Sequence, residues 1–297
     1  MSHREEKHFA LASIDYQGMS LRDLRSMFKK TLKKGVHGLC ASPYGEGQKP
    51  GDLLSEAQIR RRLKKIRPYT KWIRSFSCTD GNELIPEIAK ELGMKTLVGA
   101  WLGDDSEINK RELEGLISLC YEGLVDVAAV GNEVMYRGDL TEAQLLDKLH
   151  YVKTSIKELD IPVGYVDAYY EFEERPAVTE ACDIILANCY PFWEGCDLDY
   201  SLIYMKDMYN RAKRAGHGKR VVITETGWPS QGTPLHGAFP SEENAIKYFN
   251  NTQKWSQEEN IEIFYFSAFD ESWKIDAEGD VGAYWGLWDK NEKRKYQ

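Results

Sequence analysis

The sequence predicts an α/β fold of the (β/α)8 barrel class, on three observations. Eight short strand candidates recur along the chain, and most read nearly continuously apolar, as parallel strands buried on both faces do. Amphipathic stretches of helical length alternate with them, seven in all. Cap residues and glycines fall at the joints between the two kinds of segment. A doubly wound sheet is the alternative. It usually has fewer strands, and no GxGxxG fingerprint follows the first strand here.

Taken in order, residues 1–35 read as an N-terminal extension with its own helix at about 20–34. Residues 36–297 read as the barrel, a single domain. Strand one, 36–42, leads to a helix at 55–67, and strand two, 71–77, to a helix at 82–92. Strand three, 94–101, precedes a helix at 108–122, and strand four, 125–131, one at 141–159. Strand five, 161–166, precedes a helix at 172–181, and strand six, 183–189, one at 201–215. Strand seven, 220–225, precedes a helix at 241–257, and strand eight is 261–267. Thr141 and Ser241 stand where N-caps belong, and Gly93, Gly123 and Gly216 where helices should stop.

Composition narrows the function. A formal charge of -8 argues against a dedicated nucleic-acid binder. Ile59, Leu63 and Ile66 fall at helical spacing along the segment that holds the basic run Arg60–Arg67, so the run reads as a solvated helix face. No run approaches the length of a membrane span. The polar N-terminus is not a signal peptide, so the expectation is an intracellular protein, or one whose leader has been removed. The six cysteines form no CxxC pair, and His37, His150, His217 and His236 are scattered, so neither a disulfide framework nor a metal or other cofactor is expected. Asn250-Asn251-Thr252 is a glycosylation sequon that matters only in a secreted eukaryotic protein. Nothing fixes the oligomeric state; a monomer is the default.

In such barrels the active site forms at the C-terminal ends of the strands. Tyr44, Arg74, Trp101, Asn132, Glu133, Tyr169, Asn188, Tyr190, Trp193, Glu225, Trp228, Glu271, Trp273 and Lys274 all fall at or just past those ends, and Trp285 in the last loop. Carboxylates and amides bind sugar hydroxyls, and flat rings stack on pyranose faces. Any one tryptophan is explained as well by core packing; five at one rim are harder to explain that way. Glu133 and Glu225 end strands four and seven, three β/α units apart, so their tips can face each other across the mouth. Either alone could be a structural ion pair, Glu225 with Arg74 for instance. Two together are the equipment for breaking a glycosidic bond.

The motifs sharpen this. Thr224-Glu225-Thr226-Gly227-Trp228-Pro229-Ser230 closely resembles the signature of glycoside hydrolase family 17. Val130-Gly131-Asn132-Glu133-Val134 is similar to that family's acid/base segment. Phe269-Asp270-Glu271 with Lys274, and Gly282–Trp288, resemble its strand-eight and closing motifs. The resemblance spans about 36–290. It implies a TIM barrel that cleaves or transfers β-1,3-glucan with retention, Glu133 being the acid/base and Glu225 the nucleophile. It further implies that Asn132 binds the 2-hydroxyl, Tyr190 donates to Glu225 and Arg74 keeps Glu225 ionised. Glu271 and Lys274 would line the negative subsites, Tyr44 and Trp228 the floor, and Trp193 and Trp285 the acceptor sites; Tyr169 and Asn188 complete the substrate-binding set. The short interval between strands six and seven lacks the subdomain of plant members, which points to the compact microbial type and leaves room for a glucanosyltransferase. A non-catalytic glucan-binding protein is disfavoured by the intact pair of carboxylates.

Overall fold

The computed structural model describes residues 14–297. Eight parallel strands close into a barrel in sequence order: β1 Val36–Cys40, β2 Thr70–Ser75, β3 Lys95–Ala100, β4 Val127–Asn132, β5 Val163–Ala168, β6 Ile184–Asn188, β7 Arg220–Thr226 and β8 Ile263–Tyr265. Closure is made by β8 against β1, with Gly38 opposite Phe264 and Leu39 opposite Tyr265. The strands are buried along nearly their whole length, β4 and β6 at every residue, which is why they read as unbroken apolar runs.

The helices are α1 Leu21–Lys34, α2 Glu56–Ile66, α3 Leu84–Glu91, α4 Ser106–Tyr121, α5 Val134–Arg137, α6 Glu142–Ser155, α7 Glu171–Glu174, α8 Pro176–Ala181, α9 Leu198–Ala215, α10 Glu242–Glu259 and α11 Ile275–Glu278. Most longer ones carry side-chain N-caps: Ser20 on α1, Ser55 on α2, Asp105 on α4, Thr141 on α6, Asp197 on α9 and Ser241 on α10. The α9 helix is the only one longer than a single turn between β6 and β7.

Helix α1, which the sequence sets outside the barrel, packs on it. Leu24, Phe28 and Leu32 are buried, and Phe28 meets Phe249 of α10 at 4.9 Å and Tyr296 at 5.0 Å between ring centroids. After β8 only one-turn helical pieces follow, so α1 fills the place in the outer ring that an eighth helix would take.

Four further expectations are corrected. The helix expected at 172–181 is two pieces, because Pro176 forces Arg175 out of helical geometry, to φ -124 and ψ 72. Strand eight stops at Tyr265: the amides of Ser267 and Ala268 turn to the carbonyls of Trp285 and Cys40. In the basic run, Arg62 is buried rather than solvated. Its guanidinium lies 4.4 Å over the Phe269 ring and bonds the Tyr44 carbonyl at 2.6 Å and Glu292 at 3.1 Å. Asn250 of the sequon is likewise buried inside α10, out of reach of a glycan in the folded protein. Among the described residues, no helix is long and apolar enough to cross a membrane.

Candidate active site

Glu225 is held from three sides. It lies near the end of β7, and a register shift against β6 sets it opposite Asn188. Such irregularities at strand ends re-aim side chains. Arg74 rises through the barrel from β2, fully buried, and donates to Glu225 Oε1 at 2.5 Å. Tyr190 donates to Oε2 at 2.8 Å, and Asn188 Nδ2 reaches Oε1 at 3.2 Å. The other Arg74 nitrogen donates to Asn132 Oδ1 at 2.7 Å, so one cation organises the ends of β2, β4 and β7. Beyond it, Gly227 has no alternative: a Cβ there would sit 2.0 Å from the Phe266 carbonyl oxygen.

Glu133 has the opposite surroundings. The chain leaves β4 through Gly131 (φ +84), and Glu133 itself adopts a left-handed φ of 52, a conformation unfavourable for any residue with a Cβ. Its amide is tied to the Val166 carbonyl at 2.8 Å. Among the described residues its carboxylate accepts one hydrogen bond, from Asn188 Nδ2 at 2.8 Å. Burial, with the Glu225 charge second, pushes its carboxyl up to about 7.

Asn188 therefore touches both carboxylates, its amide oriented by the Thr224 hydroxyl, which donates to Oδ1 at 2.8 Å. The two carboxylate oxygens it bridges are separated by no more than the sum of 2.8 and 3.2 Å. A retaining pair stands about 5–5.5 Å apart and an inverting pair about 6.5–9.5 Å.

A cleft of about 600 Å³ opens over this pair. Of the residues singled out from sequence, Glu133, Glu225, Tyr169, Asn188, Tyr190, Trp193 and Trp285 line it. Trp193 is 39% exposed, and its ring lies 5.5 Å from that of Trp285. Arg74 and Asn132 lie beneath, behind Glu225. Trp228 does not form a floor. It is 1% exposed, edge-on to Phe192 at 5.3 Å, with its indole N–H on the Phe239 carbonyl. Tyr44 is also buried, its hydroxyl accepting from Asn82. Glu271 is buried behind Lys274, whose ammonium pairs with Glu278 at 3.0 Å and sits 4.3 Å over the Phe266 ring. Sequence reasoning missed Tyr136, Tyr170, Phe266 and Glu278 on the cleft wall. Tyr136, three residues after Glu133, was within reach of a reading that allowed a helical turn there.

Carboxylates paired across the mouth of a (β/α)8 barrel, beneath an aromatic-walled cleft, define a class, the barrel glycoside hydrolases. More particularly, the model of the BtgE/BtgC glycoside hydrolase domain matches residues 38–286, and the chain belongs to that family. Among curated proteins it is 27% identical over 294 residues to a glucan 1,3-beta-glucosidase of Saccharomyces cerevisiae, covering 91% of this chain and 94% of that one. It is 28% identical to a glucan 1,3-beta-glucosidase of Schizosaccharomyces pombe, over 97% and 95% of the two chains. Among solved structures it resembles a glycoside hydrolase family 17 β-1,3-glucanosyltransferase from Rhizomucor miehei, with TM-score 0.79 and 28% identity over 89% of this chain and 96% of that one. An active-site mutant of that enzyme in complex with laminaritriose matches equally well.

Proposed function

We propose that this protein acts on β-1,3-glucan by double displacement, with Glu225 as nucleophile and Glu133 as general acid/base. The observation that carries the reading is the asymmetry across Asn188. Glu225 is gripped by a guanidinium, a phenol and an amide, three donors that fix both of its oxygens. Glu133 has one amide and a raised pKa, which favours a carboxylic acid. The names of the relatives supply the substrate class, and their coverage of nearly the whole chain supports carrying it over.

In the first step a Glu225 oxygen attacks the anomeric carbon while Glu133 gives its proton to the departing glycosidic oxygen. In the second, Glu133 takes a proton from the incoming hydroxyl, which displaces Glu225 from the sugar and restores the original configuration. Arg74, Tyr190 and Asn188 hold the nucleophile in place throughout and never exchange a proton with substrate.

The incoming hydroxyl comes from water or from another sugar. Transfer to sugar is the second reading. It is favoured by the exposed Trp193 ring at the cleft rim, a platform for an acceptor chain backed by the buried Trp285, and by the likeness to a glucanosyltransferase. Incubation with a single laminari-oligosaccharide tests both at once. Shorter products alone mean hydrolysis, products longer than the substrate mean transfer, and an unchanged substrate removes the proposal.

A further inference from the structure

The backbone around Glu133 leaves a question. Helix α5 starts at Val134, so the amides of Met135 and Tyr136 are in its first turn and have no partner within the helix. An N-cap side chain normally accepts from them. The residue in the cap position is Glu133, and it makes no such bond: its carboxylate is turned to Asn188 and the cleft. Two residues of β5 accept instead. The Tyr165 hydroxyl accepts from the Met135 amide at 2.9 Å and donates to Asp167 Oδ2. That same Oδ2 accepts from the Tyr136 amide at 3.3 Å. Asp167 Oδ1 is fixed in turn by the Ala168 amide at 2.7 Å. Residues 165 and 167 point to the same side of the strand, as alternation requires, and both are fully buried.

We propose that Asp167, relayed by Tyr165, caps this turn from the neighbouring strand, acting as a positioning residue that leaves the Glu133 carboxylate free to face substrate. The inference rests on Glu133 being the acid/base. A glutamate cannot both cap its own helix and donate a proton across the cleft. Supplying the cap from β5 separates the two tasks. It also holds Glu133 in its left-handed conformation, since that strand accepts three amides of this short segment, those of Glu133, Met135 and Tyr136.

Asp167 also acts through its charge. Glu133 is faced by Glu225 from β7, Asp167 from β5, Asn188 from β6 and Arg74 from β2. Asp167 is faced by Tyr165 on its own strand, Glu171 of α7 and the Tyr136 amide of α5. Its negative charge adds to that of Glu225 in keeping Glu133 protonated, so removing it moves the alkaline limb of activity to lower pH.

The test compares kcat/KM, which reports glycosylation, on two substrates: a laminari-oligosaccharide, whose leaving group needs a proton, and a 2,4-dinitrophenyl β-laminaribioside, whose leaving group does not. Tyr165→Phe keeps the ring and its packing, and Asp167→Asn keeps the volume. Both variants should lose roughly tenfold or more on the oligosaccharide and little on the activated substrate. The alkaline limb of Asp167→Asn should fall by roughly half a unit or more. Equal slowing of both substrates, or no slowing with an unmoved limb, overturns the proposal. Glu133→Ala is run alongside. If it spares the activated substrate while the other two variants do not, the trans cap is wrong and Glu133 keeps its role. If it loses both substrates equally, the Glu133 assignment fails and the cap falls with it.

Discussion

The ends of β4 and β7 present the same side chain to the same cleft, yet they treat it differently. Glu225 lies within its strand, near the end, buried, with a guanidinium, a phenol and an amide on its two oxygens. Glu133 is past the end of its strand, on a left-handed residue, with one amide on its carboxylate and its backbone held by β5. On the proposed mechanism, two identical carboxylates are thereby set to opposite chemical tasks by their neighbours alone. The difference lives in tertiary contacts, not in either motif.

The largest effect that would break this contrast comes from exchanging the carboxylates. Glu225→Gln should lose on the order of 10⁴-fold or more in kcat on every substrate, because no nucleophile remains. Glu133→Gln should be nearly as poor on laminari-oligosaccharides but should keep much of its kcat/KM on a dinitrophenyl glycoside. If the two variants had the same substrate profile, the contrast would be lost.

Next in size is Arg74→Met. It leaves the buried Glu225 carboxylate without its cation, so stability should drop by about 3–5 kcal/mol, read from denaturant unfolding. Activity should drop with it. A variant as stable as the parent would mean that the ion pair is not what fixes Glu225. Tyr190→Phe removes one hydrogen bond to a charged group, a loss of about 1.5–3 kcal/mol, or roughly tenfold to hundredfold in kcat/KM. The fold should be unaffected.

The pH profile sharpens the other side. In the proposed first step Glu133 donates its proton, and burial raises its carboxyl to about 7. Activity should therefore be retained below that value and fall as pH rises through it, with the alkaline limb of kcat/KM near pH 7. A limb far above this, near the range of lysines or tyrosines, would assign the proton donor elsewhere. The smallest effect expected is from Trp193→Ala. It should lower the ratio of transfer to hydrolysis, by tenfold at most, while leaving hydrolysis of an activated glycoside close to the parent.

Much of this was legible in the chain. Strands buried on both faces carry their own signal, and caps such as Thr141 and Ser241 stand where helices α6 and α10 begin. The two glutamates and Asn188 could be placed because strand ends in a closed barrel converge on one mouth. What could not be read was direction. A tryptophan near a strand end gives no sign of whether its ring faces the cleft, like Trp193, or the core, like Trp228. Arg62 sat within a run of charges that looked solvated, and only the tertiary approach of Phe269 and Glu292 buries it. The left-handed turn at Glu133 is unreadable for the same reason. Its partners Tyr165 and Asp167 lie about thirty residues on, and alternation sets those two on one face without saying what they meet there.

The most direct test of the central claim is to trap the intermediate. A 2-deoxy-2-fluoro laminaribiosyl donor with a good leaving group slows the second step and leaves the sugar on the nucleophile. Digestion and mass spectrometry then locate it. The account predicts a single adduct on the peptide carrying Glu225, unchanged in Glu133→Ala. An adduct on Glu133 instead would contradict it.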